Sequence, residues 1–261
     1  MESKHPPNSD AGSQAARGTE SLAAAAAGAA IGWFLGALVH PIVGLVMAIV
    51  AGLNGVISGW RQVYAWRSIG GWIAFVLDST WGTLSVGVGL LVHVIGTLKG
   101  SPGFEPKLSR RQNSHVYRRG FTFKPGFALT VGNVISGAGD VDVPRRRKLI
   151  TDHEAVHVWQ ARWFGPLYLP CYGLWSLFGI VGGLFVWLRG GRKEKLGKAI
   201  ESCSYYLNPY EWWAYSRDDL WPPPGKIEGV GWRKACVRPL AEVRAARARK
   251  FNKPIGADQV K

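Results

Sequence analysis

Thr151-Asp152-His153-Glu154-Ala155-Val156-His157-Val158-Trp159-Gln160 places two histidines four residues apart, with a glutamate directly after the first. On a helix, positions i and i+4 share a face one turn apart, so two neutral imidazoles placed this way can hold one zinc ion. Glu154 sits one position round, where its carboxylate can reach a water on that ion and take its proton. Pro144 suits a first helical turn. Beyond it Leu149, His153, Val156, Gln160 and Trp163 fall on one stripe, with Ile150, His157 and Phe164 beside it. The spacing therefore predicts a helix from Pro144 to about Phe164 with both imidazoles on its buried face. A catalytic zinc has three protein ligands and one open position, so the rest of the chain has to supply the third.

The composition is that of a membrane protein. The 261 residues carry a net charge of +15, yet only 19% are charged, and there are 34 glycines and 13 tryptophans. The charge sits outside long apolar runs, where basic residues face the cytoplasm and anionic headgroups. The lipid bilayer is thus the expected partner, and no nucleic-acid motif accompanies the charge, so no nucleic acid is expected. Cys171, Cys203 and Cys236 show neither zinc-ribbon spacing nor a disulfide framework. Residues 1–20 read as a disordered polar tail rather than a signal peptide, because acids stand where a basic segment would be needed.

Leu22 to Trp60 contains no charged residue and fits two short spans bent at His40-Pro41. Gly28, Gly32 and Gly36 recur every fourth residue, and Gly44, Gly52, Gly55 and Gly59 follow. Small residues on one face let backbones approach closely in lipid, which predicts a glycine-zipper hairpin; Gly28, Gly32 and Gly36 could also join copies into a homo-oligomer. Gly71 to Leu98 is a further apolar segment. The acid inside it, Asp78, reads as a break, with Ser79 or Asp78 capping the next helix. After a linker, His115 to Phe123 and Phe127 to Val134 flank Lys124-Pro125-Gly126, a hairpin signal. His115 then lies on a strand surface. Pro166 to Leu188 is a fourth apolar run, and a basic helix is expected over 232–250.

Asn208-Pro209-Tyr210-Glu211-Trp212-Trp213-Ala214-Tyr215 offers the third ligand. With the H-E-x-x-H of His153 to His157, it resembles the paired signatures of gluzincins, zinc metallopeptidases in which a downstream helix presents a glutamate followed by a small residue. The resemblance implies His153, His157 and Glu211 as metal ligands and Glu154 as general base, acting on a peptide or protein substrate. His-Val-Trp-Gln and Asn-Pro-x-Glu-x-x-Ala-Tyr behind a glycine-zipper start also resemble a group of bacterial membrane proteins, from which no activity carries over. That likeness implies the bacterial inner membrane, and the basic flanks of the apolar runs predict that the polar parts face the cytoplasm. Tyr205, Tyr206, Tyr210 and Tyr215 are all candidates to stabilise an oxyanion.

The glutamates have a plainer reading. Thr151-x-x-Glu154 and Asn208-x-x-Glu211 both match a capping box, although Thr151 cannot cap a helix that begins at Pro144. Topology adds a condition: if Pro166–Leu188 crosses the membrane once, His157 and Glu211 end on opposite faces. The run is therefore expected to be re-entrant or kinked near Gly179–Gly183, or a buried amphipathic helix. The expected architecture is a mainly α membrane protein: a tail over 1–20, a membrane region over 21–100, a small α+β zincin-like module with a β-hairpin over 101–225, and a basic tail over 226–261. The alternative is a non-enzymatic glycine-zipper scaffold whose His/Glu cluster is structural.

Overall fold

The computed structural model describes residues 13–98, 103–217 and 226–231, and five residues between 242 and 249. Most of the basic helix expected over 232–250, and the first 12 residues, lie outside them. The chain divides into two compact units, Met1–Leu169 and Pro170–Lys261.

The first unit opens with a helical hairpin. Ser13 caps helix α1 (Gln14–Ala37) by accepting from the Ala16 amide at 3.2 Å, so the helix reaches back into the segment expected to be a disordered tail. Glu20 explains the difference: its carboxylate accepts from the Trp66 indole at 2.7 Å and from Arg111 at 2.5 and 2.6 Å, which ties that turn down. His40 caps α2 (Pro41–Trp60) and Pro41 starts it. The two helices meet backbone to backbone. A Cβ at Gly55 would lie 2.5 Å from the Ala24 carbonyl oxygen, and one at Gly59 2.5 Å from the Ser21 Cα. Gly28, Gly32 and Gly36 are buried against α2 and Ser79, so this glycine face is covered within the chain.

Helices α3 (Ile69–Ser79) and α4 (Thr83–Leu98) meet at an 87° bend. Asp78 sits at the bend but caps nothing. It is 1% exposed, and its two oxygens each accept a 2.8 Å bond from Arg162, joined by the Tyr64 hydroxyl at 2.9 Å and the Asn133 amide at 3.3 Å. A buried guanidinium needs a counterion, and this outweighs the local capping preference. His115 corrects a second expectation. It is fully buried rather than on a strand surface, with Nε2 2.9 Å from the Ser58 hydroxyl. Burial, then the His93, Arg61 and Arg162 charges, holds its pKa well below the ordinary value and keeps it neutral.

One turn of helix, α5 (Pro106–Ser109), leads into a three-stranded sheet of order β1-β3-β2. β1 (His115–Val116) pairs parallel with the central β3 (Val134–Ser136), and β2 (Leu129–Val131) pairs antiparallel to it at the edge. The hairpin therefore turns at Gly132-Asn133, not at Lys124-Pro125-Gly126, which lies in the β1–β2 connection. Gly132 has φ +57°, as a two-residue hairpin turn with glycine first requires. Val116, Ile135, Ala138 and Val141 pack with Ile150 and Val158, joining the sheet to the next helix.

That helix runs as predicted from Pro144 to Phe164, in three segments: α6 (Pro144–Lys148), a π turn (Leu149–Glu154) and α7 (Ala155–Phe164). His153, His157 and Gln160 are buried as expected, but Trp163 is exposed and Arg162 is inside. Each π-turn residue advances less round the axis than an α-helical one, which shifts the stripe. Gly165, at φ +53°, ends the helix where a Cβ would come within 2.4 Å of the Trp81 indole.

Helix α8 (Tyr168–Arg189) carries the chain into the second unit and is unbroken and mostly exposed. This corrects the re-entrant, kinked or buried expectation for residues 166–188. Gly179 and Gly183 do not turn the chain; they admit a neighbour. A Cβ at Gly183 would lie 2.6 Å from the Ile200 Cα, and one at Gly179 2.4 Å from the Ser204 Cα. The neighbour is α9 (Leu196–Glu201) continued by a π turn (Ser202–Tyr206), which returns along α8. This return brings Glu211 back to Tyr172 near the start of α8, so an unbroken α8 does not leave Glu211 at its far end, as the condition on a single crossing supposed. Asn208 then caps α10 (Pro209–Tyr215) through the Tyr210 amide at 3.0 Å.

Among the described residues, three helices are long and apolar enough to cross a membrane, or four if the bent α3–α4 pair counts as one span.

Candidate metal centre

His153 and His157 project from the π turn and the α-helical turn that follows it. Single π turns inside α-helices are frequent at functional sites, where the extra residue re-aims side chains. Both rings are buried, set edge to face at 4.8 Å, and their Nε2 atoms are 3.2 Å apart. Two nitrogens each 2.0–2.1 Å from one tetrahedral ion are separated by about 3.3 Å. The spacing therefore fits two ligands of one ion.

Gln160, one turn on, sets the tautomer. Its carbonyl oxygen lies 2.8 Å from His157 Nδ1 and accepts only if that nitrogen carries the proton. The His157 Nε2 lone pair is then free to face His153. The Tyr168 hydroxyl is 3.3 Å from the same Nδ1 and 3.5 Å from the Gln160 oxygen. Partners of this kind orient imidazole ligands and raise their basicity.

Glu154 is 7% exposed. Its Oε2 accepts a 2.6 Å hydrogen bond from the Thr130 hydroxyl on edge strand β2, and its Oε1 stands 4.0 Å from His153 Nε2. One oxygen is anchored and the other is turned toward the imidazoles. Thr151 does not cap: it lies in the π turn and donates to the Asp152 carboxylate at 2.8 Å. The capping reading of Glu154 therefore fails.

In the second unit, Glu211 stands in the first turn of α10, is 4% exposed, and accepts from the Tyr172 hydroxyl at 2.7 Å. His153, His157 and Glu211 each offer one ligand atom, and these atoms lie within 4.8 Å of one another. This buried group could bind a metal ion. Tyr205 and Tyr215, two of the four tyrosines considered from the sequence, bond each other at 3.1 Å. Burial, then Glu201 and Glu211, pushes the Tyr206 pKa up to about 12.

Sequence reasoning missed Thr130, Tyr168, Tyr172 and the Asp78–Arg162 pair. Tyr168 and Tyr172 are four apart at the start of an apolar helix, a spacing that marks one face. Thr130 carried no signal, since its role depends on which strand lies at the edge. A scan against family models and searches of characterised proteins and of solved structures returned no match.

Proposed function

We propose that this chain is a membrane-embedded zinc metallopeptidase-like hydrolase of the bacterial inner membrane, with its polar parts on the cytoplasmic side. The observation that carries the reading is the buried group of His153, His157 and Glu211, whose three ligand atoms lie within 4.8 Å of one another. The donor set of two imidazoles and one carboxylate suits a catalytic zinc, which uses three protein ligands and keeps one position open. In the first unit Tyr168 reaches His157, and in the second Tyr172 reaches Glu211.

A zinc held by His153, His157 and Glu211 would polarise the scissile carbonyl and lower the pKa of the attacking water. The protein's own groups do the rest. Glu154 Oε1 takes the proton of the water and delivers it to the leaving amine, while Thr130 holds the other oxygen. Gln160 keeps the His157 proton on Nδ1, so that Nε2 presents its lone pair. The outer edge of β2 is the surface against which an extended peptide can lie.

Metal analysis of the purified protein is expected to find one zinc per chain, lost in a His153→Ala, His157→Ala variant. Glu154→Gln is expected to keep the zinc and lose peptide hydrolysis. Protein that folds normally without stoichiometric zinc would refute the metal centre, and unaltered hydrolysis in Glu154→Gln would remove Glu154 from the chemistry. One observation favours a second reading, a non-enzymatic scaffold. The 3.2 Å between the two Nε2 atoms is also a hydrogen-bond distance, which His153 can satisfy by donating to His157. Absence of zinc is the outcome that selects it.

A further inference from the structure

The β1–β2 connection, Arg118 to Phe127, forms one wall of an open cleft of about 580 Å³; Gly137, Gly139, Asp140, Val143 and Arg146 form the other. Three guanidinium groups line it, and their surroundings differ. Arg118 is matched by acids: it bonds Glu105 at 2.6 Å and Asp142 at 2.7 Å, with Asp140 3.8 Å away. Arg119 has no carboxylate within ion-pair distance among the described residues. Arg146 donates to backbone carbonyls, those of Gly126 at 3.1 Å, Gly137 at 2.8 Å and Ala138. These bonds fix the Arg146 guanidinium without neutralising it, and three of its five N–H groups are used, which leaves two.

The connection that walls the cleft also carries exposed rings. Phe127 lines the cleft, is 37% exposed and has the Lys124 ammonium 4.4 Å from its ring centre; Phe123, next to the lining residue Thr122, is 81% exposed and meets Phe121 edge-on at 5.2 Å. Exposed phenyl rings beside uncompensated guanidinium groups suit the boundary between headgroups and acyl chains. Guanidinium also matches the oxygens of a phosphate with paired hydrogen bonds.

We infer that this cleft is a site for the headgroup of an anionic phospholipid. Arg119 and Arg146 hold the phosphate, and Phe123 and Phe127 sit against the acyl chains. Two features favour a lipid over other anions: the connection that walls the cleft carries exposed rings, and the same chain carries helices long and apolar enough to cross a bilayer. The inference is independent of the zinc reading.

The test titrates the full-length protein in an uncharged detergent with dihexanoyl phosphatidylglycerol, dihexanoyl phosphatidylcholine or glycerol 3-phosphate, read by calorimetry. Phosphatidylglycerol is expected to bind about tenfold tighter than phosphatidylcholine. Arg119→Gln removes a charge with no acidic partner, so the fold is kept, and binding of phosphatidylglycerol falls about fivefold, as expected for one basic residue at an anionic surface. Phe123→Ser weakens phosphatidylglycerol binding and leaves that of glycerol 3-phosphate unchanged. Equal binding of the two lipids, or a preference untouched by Arg119→Gln, overturns the proposal. Glycerol 3-phosphate binding as tightly as phosphatidylglycerol also overturns it, in favour of a site for small phosphate esters.

Discussion

At the scale of the residue, the H-E-x-x-H spacing is the most legible feature of the chain. Two histidines four apart had to share a helix face, and they do, because a face is a local property. What the spacing could not convey is the set of partners that gives each ring its chemistry. Gln160 follows His157 by three residues and falls on the stripe of His153, beside His157, but its hydrogen bond to His157 Nδ1 depends on rotamers set by burial. His115 shows the same limit more sharply. Flanked by β-branched and aromatic residues, it read as a surface strand position, yet it lies under α2 against Ser58. Its burial has a measurable consequence. The folded-state pKa lies well below the ordinary 6.5, so the unfolded chain binds a proton that the folded chain does not. This histidine costs nothing above about pH 6.5. Below it, stability is lost as pH falls toward the folded-state pKa, at up to about 1.4 kcal/mol per pH unit. Thermal unfolding in detergent from pH 7.5 to 5.0 is expected to show a falling Tm, flattened in His115→Gln. An equally steep fall in that variant would assign the loss to other groups.

At the scale of the element, the helices were legible from their apolar periods, and the sheet only in part. Lys124-Pro125-Gly126 looked like the hairpin turn because Pro-Gly is a strong local signal. Gly132-Asn133 won because it lets β2 pair with β3 directly, while a Cβ at Gly132 would lie 2.5 Å from the Ser85 carbonyl oxygen of α4. The glycines of α8 were misread for a related reason. A glycine can permit a turn or a close neighbour, and sequence alone does not separate the two. Here the separation is testable one residue apart. A Cβ at Gly183 would meet the Ile200 backbone at 2.6 Å, whereas at Gly182 nothing lies within 4 Å. Gly183→Leu is expected to push the return helix away and destabilise the second unit by about 1–3 kcal/mol. On the zinc reading proposed above it should also weaken metal binding, although no ligand has changed. Gly182→Leu should leave both Tm and metal content as in the parent protein. If both variants behave alike, the close approach of α9 to α8 is not what Gly183 is for.

At the scale of the whole molecule, the question is what solvent the chain is built for. A soluble protein keeps its large apolar side chains together and rarely exposes a contiguous apolar patch beyond a few hundred Å². Here Leu174, Leu177, Phe178, Val181 and Phe185 of α8 all face outward, as do Ile42, Leu45, Val46, Ile49 and Leu53 of α2. The polar groups do the opposite. Asp78, Arg162, Asn54, Ser58, Asn133 and His115 are all inside, and hydrogen bonds connect them. In water this distribution would be unfavourable twice over, through the hydrated apolar surface and through the desolvated charges. In hydrocarbon the first cost disappears, and the second is offset by the pairing of Arg162 with Asp78. Helix α8, at 22 residues, is about 33 Å long and matches the hydrocarbon thickness of a bilayer of about 30 Å. The protein is therefore expected to stay in the membrane pellet after washing with alkaline carbonate and with high salt, and to leave it only with detergent. Release by carbonate or salt would mean that the outward faces of α2 and α8 are covered by protein rather than lipid. In that case the Asp78–Arg162 pair is a buried ion pair of an aqueous protein, and its pairing offsets a desolvation cost that protein packing, not lipid, imposes.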